Sequence, residues 1–128
     1  MNVLLDTCTF LWIVRGDRAL SPVARAIYSD PENLVYLSVA SAWEIVVKHG
    51  LGRLPLAEPA EIYIPKERDK HRILPLELNE PAVLALRRRP DLHADPFDRI
   101  LVCQAITLGM VLLTPDEQVQ AYPVNWRW

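Results

Sequence analysis

Residues 1–12 read MNVLLDTCTFLW, and the break inside this stretch decides how the chain is built. Asn2 to Leu5 are a short apolar run that stops at Asp6. A short run without polar alternation suits a strand covered on both faces, as in a parallel sheet. TFLWIV at 9–14 then reads as a helix with Thr9 as its cap, closed by the polar turn RGDR at 15–18. A buried strand that feeds straight into a helix is the opening unit of an α/β domain.

The unit recurs along the chain. Ser21-Pro22 starts a second helix, with Ala24, Ile27 and Tyr28 on its apolar side, ending near DPEN at 30–33. LVYLS at 34–38 is a second strand, and Ser38 and Ser41 can both cap the helix that carries Trp43, Glu44, Ile45 and Val46. HGLGRLPL at 49–56 ends that helix. Residues 57–72 hold a short helical stretch interrupted by Pro65 and then a charged tail. ILPL at 73–76 is a third strand, weakened by its proline. Asn79 caps a helix from Glu80 to about Arg88, RPDLHAD at 89–95 is a loop, and a helix runs from Pro96 to about Leu108, with Asp95 as N-cap and Gly109 beyond its end. MVLLT at 110–114 is a fourth strand and VNWRW at 124–128 a fifth, at an edge. This alternation predicts one α/β domain over 1–128, with a mainly parallel sheet of about five strands and helices on both faces.

Composition narrows the function classes. The 128 residues fit one domain, and 51% hydrophobic residues can fill its core. The net charge is -2, so binding to nucleic acid needs a local basic patch or bound cations. No apolar stretch approaches the roughly 18 residues of a membrane span. MNVLLDTC carries no basic leader and meets an acid at Asp6, which points to the cytoplasm. Cys8 and Cys103 form no C-x-x-C pair and His49, His71 and His93 are scattered, so reduced thiols are expected and zinc is not. There is no nucleotide-binding P-loop and no G-x-S-x-G elbow.

The acids are placed more tellingly. Asp6 directly follows the first strand, and Glu44 lies in the helix after the second. Asp98 lies in the first turn of the helix that leads to the fourth strand, and Asp116 comes just past that strand. Each has a local use: Asp6 as a turn or cap residue, Glu44 in a capping box with Ser41, Asp98 in one with Asp95, Asp116 as the cap of EQVQAY. Yet ligands of open α/β sheets bind beyond the carboxyl ends of the strands. If strands one, two and four lie side by side, the four acids converge on one cleft. Converging carboxylates repel unless a cation or protons neutralise them. Magnesium or manganese suits an all-oxygen site better than zinc does. Metal-assisted hydrolysis of a phosphodiester is the most economical chemistry for such a cleft.

Four blocks in order, LLDTCTFLW (4–12), SVASAWEIVVKHGLGRLPL (38–56), HADPFDRILVCQA (93–105) and LLTPDEQVQAYPV (112–124), resemble PIN-domain proteins of the VapC toxin type. The resemblance implies a PIN-like three-layer fold and a magnesium- or manganese-dependent ribonuclease. It also implies the toxin of a toxin–antitoxin pair, usually a homodimer, held inactive by a VapB-type antitoxin. The family's acidic site maps onto Asp6, Glu44, Asp98 and Asp116. Asp6 and Asp98 match the metal ligands, and Glu44 and Asp116 complete the pocket, the latter through water. Asp95 is assigned mainly to capping, with contact to a metal or the scissile phosphate as its second reading. Cys8 stands where the family commonly has His or Asn, and Thr9 where it frequently has an aliphatic residue, which bears on the pocket's shape near Asp6.

Thr7, Ser38 and Thr114 can hold water or phosphate, or satisfy backbone groups at element ends. Candidate phosphate contacts are Lys48, Arg53, Arg99 and the run Arg87-Arg88-Arg89. Trp12 and Trp43 are expected in the core or at a dimer contact, and Trp126 and Trp128 over a sheet edge. Three alternatives stand beside this reading. One is a PIN nuclease of RNA processing or DNA repair without an antitoxin, and another is a non-catalytic binding module. The third is a haloacid-type phosphatase with Asp6 as nucleophile, although Cys8 occupies the place of its second Asp.

Overall fold

In the computed structural model, which describes residues 1–88 and 95–128, a parallel sheet separates two layers of helices. The elements are β1 (Asn2–Leu5), α1 (Thr7–Arg15), α2 (Pro22–Ser29), β2 (Leu34–Ser38), α3 (Val39–Gly50), α4 (Ala60–Lys70), β3 (Leu74–Leu76), α5 (Glu80–Ala85), α6 (Pro96–Leu108), β4 (Val111–Leu113), α7 (Glu117–Gln120) and β5 (Trp126–Arg127). A 3-10 turn, Leu86–Arg88, extends α5. The strand order is β3-β2-β1-β4-β5, every described pair parallel. The loop expected at 89–95, with Arg89 and His93, lies outside the described residues apart from Asp95.

Alternation along β1 shows why the sheet is covered twice. Val3 and Leu5 face a core built with Phe10, Ile45, Tyr63 and Ile64. Leu4 faces the opposite core, with Ile100, Leu101, Val102, Leu112 and Val119. Each such fully buried aliphatic side chain contributes roughly 1.5–3 kcal/mol. The two cores fix the register, because a one-residue slip would exchange the two sets of side chains.

Several boundaries depart from the sequence reading. Helix α1 begins at Thr7; of the two caps read in the sequence, Asp6 takes the role and Thr9 does not, the Asp6 carboxylate accepting from the Thr9 N–H at 2.9 Å. Thr9 is buried and donates its hydroxyl to the Leu113 carbonyl at 3.2 Å, which ties α1 to β4. Ser38 alone caps α3, accepting from the Ala40 N–H at 3.0 Å. Ser41 therefore lies inside the helix, and the capping box with Glu44 does not form. Helix α4 runs through Pro65 without a break. A proline there costs roughly 3 kcal/mol, which the burial of Ala60, Tyr63 and Ile64 offsets. Pro75 is tolerated because β3 is an edge strand.

Trp43 does not join the core. It is 60% exposed, and its ring meets Phe97 edge-on with centroids 5.1 Å apart. Trp12 does pack against the core, with Trp128 across it at 5.7 Å. Among the described residues, no helix is long and apolar enough to cross a membrane. Cys8 and Cys103 are not disulfide-bonded.

The connections place the functional end. From β1 the chain winds through β2 to β3 on one side, then returns to lay β4 and β5 on the other. The order reverses between β1 and β4, so a crevice opens beyond their carboxyl ends.

Candidate active site

Asp6 is the first residue past β1, and its N–H donates to the Leu113 carbonyl of β4 at 3.2 Å. That bond sets the carboxylate on the floor of the crevice, 4% exposed. Burial pushes its carboxyl above the ordinary carboxylate range, against hydrogen bonds from Thr114, Thr9 and Cys8 that favour the ionised form. The Cys8 thiol donates to Asp6 Oδ1 at 3.4 Å. Burial, followed by the charge of Asp6, pushes the thiol well above its ordinary range.

Glu44 reaches the crevice from the second turn of α3 and is buried. The Thr7 hydroxyl donates to its Oε1 at 2.6 Å, so the first residue of α1 orients a carboxylate of α3. The Lys48 ammonium, one turn further along α3, makes an ion pair with Oε2. Helix α6 brings two more acids. Asp95 caps it, accepting from the Phe97 N–H at 2.9 Å, and Asp98 sits in its first turn. Asp116 caps α7, accepting from the Gln118 N–H at 2.8 Å, while its own N–H donates to Thr114 Oγ1 at 3.1 Å.

These side chains border one cavity. A cavity of ≈ 200 Å³ is lined by Asp6, Thr7, Cys8, Glu44, Lys48, Asp95, Asp98 and Asp116. All four acids singled out in the sequence stand there, and Asp95 stands with them while serving as a cap. Among the described residues, Ser38, Arg53, Arg87, Arg88 and Arg99 are outside the lining. Ser38 is turned to structure instead: its hydroxyl donates to Gln104 Oε1 at 2.5 Å, and Gln104 Nε2 donates to the Glu77 carbonyl at 3.1 Å.

Gln104 and the Lys48 pairing escaped the sequence reading. The signals were a lone amide within the apolar run ILVCQAI of α6 and a lysine four residues after Glu44.

Among the described residues the lining offers carboxylate and hydroxyl oxygens, one thiol and no imidazole. Such donors suit a hard divalent cation. Among the described residues no three His, Cys, Asp or Glu side chains are drawn together into a finished ion site. Among the described residues of the lining, the positive charge is the Lys48 ammonium.

A cavity of carboxylates at the topological switch of a parallel sheet is what the resemblance led one to expect, and the PIN domain family matches residues 3–125. The chain is a PIN-domain protein. Over 55 residues it is 42% identical to Ribonuclease VapC16 of Mycobacterium tuberculosis, a match covering 43% of this chain. The chain thus spans only about two fifths (39%) of the curated relative it matches. Among solved structures it resembles VapBC2 from Rickettsia felis bound to a DNA fragment from their promoter, with a TM-score of 0.70 at 11% identity, covering 99% of this chain and 98% of that one. It also resembles VapBC-1 from nontypeable Haemophilus influenzae, with a TM-score of 0.64 at 19% identity, covering 99% and 97%. A toxin–antitoxin complex from Klebsiella pneumoniae gives a TM-score of 0.62 at 16% identity, covering 98% and 96%. These likenesses establish the PIN-like α/β fold that the sequence predicts.

Proposed function

We propose that this PIN domain is a magnesium- or manganese-dependent endoribonuclease and the toxin of a VapBC-type pair. The observation that carries the reading is the convergence of Asp6, Glu44, Asp98 and Asp116 on one cavity at the switch between β1 and β4. The partial match to a ribonuclease supports the choice of RNA, and the toxin–antitoxin complexes among the structural neighbours support a VapB-type partner.

In this reading Asp6 and Asp98 are the main metal ligands, and Glu44 and Asp116 complete the set. A bound divalent ion supplies Lewis acidity, which makes water a nucleophile near neutral pH and stabilises charge on the phosphate. The chain's own residues prepare the place. Thr9 and Cys8 hold Asp6, and Thr7 holds Glu44. Asp95 and Asp98 stand at the N-terminus of α6, the end of the helix whose dipole attracts negative charge. The burial that disfavours an ionised Asp6 leaves that charge in need of a cation. The antitoxin lays an amphipathic segment beside the cavity and sets a basic side chain among the acids, and the active form is a cytoplasmic homodimer.

The test is cleavage of a single-stranded RNA and of the DNA of the same sequence, by wild type and by Asp6→Asn and Asp98→Asn. RNA alone should be cut, only with magnesium or manganese, and each substitution should slow cleavage by on the order of 100-fold or more. Cleavage that persists in both variants or survives chelation sinks the proposal.

A further inference from the structure

Lys48 is the residue of the cavity that the proposed function leaves without a task. The bland account is an ordinary i,i+4 pair on a helix surface. Its surroundings say otherwise. The Glu44 side chain is 5% exposed, whereas that of Lys48 is 45% exposed, so the pair reaches from the buried wall of the cavity to its mouth. Thr7 already fixes Oε1 of Glu44, which leaves Oε2, the oxygen held by Lys48, as the one to be exchanged. Asp95 and Asp98 add their field to that of Glu44 at the ammonium. Among the described residues, five carboxylates and one ammonium line these ≈ 200 Å³.

From this geometry we infer that Lys48 is the resident counter-cation of the cavity and competes with the divalent ion for Glu44. The inference rests on the metal reading of the site. A buried carboxylate among other carboxylates is costly unless paired. Lys48 supplies the pairing when no ion is bound. The ammonium and a divalent ion repel each other at such short range, so binding of the ion at Glu44 and closure of the pair oppose each other, a negative coupling between the two cations. Displaced, the ammonium lies at the mouth of the cavity, where a phosphodiester oxygen can take the place of Glu44. Lys48 is thus a positioning residue that sets the threshold for loading the ion.

The test is manganese titration of the full chain without nucleic acid, by calorimetry, alongside thermal unfolding with and without the ion. Lys48→Met and Lys48→Gln both remove the charge, and Gln keeps a hydrogen-bond donor for Glu44. Both should bind manganese about tenfold more tightly than wild type. Their metal-free forms should melt lower and gain more from the ion. Lys48→Arg, which keeps the charge, should bind within about twofold of wild type. Equal or weaker manganese binding by Met and Gln variants that remain folded overturns the inference and leaves the metal reading intact. If no variant and no wild type binds the ion, the metal reading fails and takes this inference with it.

Discussion

The two ends of the sheet carry cavities of opposite kind. Beyond the amino ends of β2 and β3, a cavity of ≈ 360 Å³ is lined by Tyr28, Asp30, Asn33, His71 and Arg72 among others. Beyond the carboxyl ends of β1 and β4 lies the smaller, acidic one. The polar groups of the larger cavity serve to tie chain segments together. Tyr28 donates to the His71 carbonyl at 2.9 Å, and Asp30 accepts from the Glu32 N–H at 2.9 Å. Asn33 donates to the Ile27 carbonyl at 3.0 Å and accepts from the N-terminal ammonium at 2.9 Å. At the acidic end, the cap bonds of Asp6, Asp95 and Asp116 fall on Oδ1 in each case, and the same carboxylates still line the cavity. Volume is therefore a poor guide here. A carboxylate has two oxygens, so a helix cap at a strand's end can also serve a site.

The comparison can be broken most directly by activity. Asp98→Asn should remove at least about 99% of RNA cleavage, whereas His71→Ala, at the far end, should change the initial rate by less than about twofold. The reverse pattern would place the chemistry at the wrong end. A smaller effect is expected from the link under the acidic cavity. Gln104→Leu deprives the buried Ser38 hydroxyl of its acceptor and should cost about 1–3 kcal/mol in urea unfolding. Smallest is Arg72→Gly. Arg72 holds φ 56°, a left-handed conformation that glycine adopts without strain. The change should stabilise the chain by about 0.5–1 kcal/mol and leave cleavage unaltered.

Much of the fold was written in local patterns. Ser21, Ser38, Asn79 and Asp95 cap the helices they were expected to cap, because a short polar side chain before an apolar run has few other uses. The acids were legible for a related reason. Asp6 and Asp116 stand just past apolar strands, and only the pairing of β1 with β4 and β2 was needed to bring them together.

What escaped depends on contacts between distant segments. The choice between Asp6 and Thr9 as the cap of α1 fell to Asp6 because Thr9 is drawn onto β4. Pro65 survives within α4 because its neighbours are buried. Trp43 stayed out of the core because α3 turns Ile45 inward instead, 0% exposed. The Lys48–Glu44 pair and the Ser38–Gln104 link acquire their meaning only once α1, α3, β2 and α6 have assembled.

The central claim is that the acids at this end of the sheet hold a divalent ion and are not caps alone. Thermal unfolding of wild type and Asp98→Asn, with and without manganese, tests it most directly. The account predicts a clear manganese-induced rise in the midpoint for wild type and a rise of less than half that size for Asp98→Asn. An equal rise in both, with the metal-free variant merely weaker by about 1 kcal/mol, would make Asp98 a helix-end residue and contradict the account.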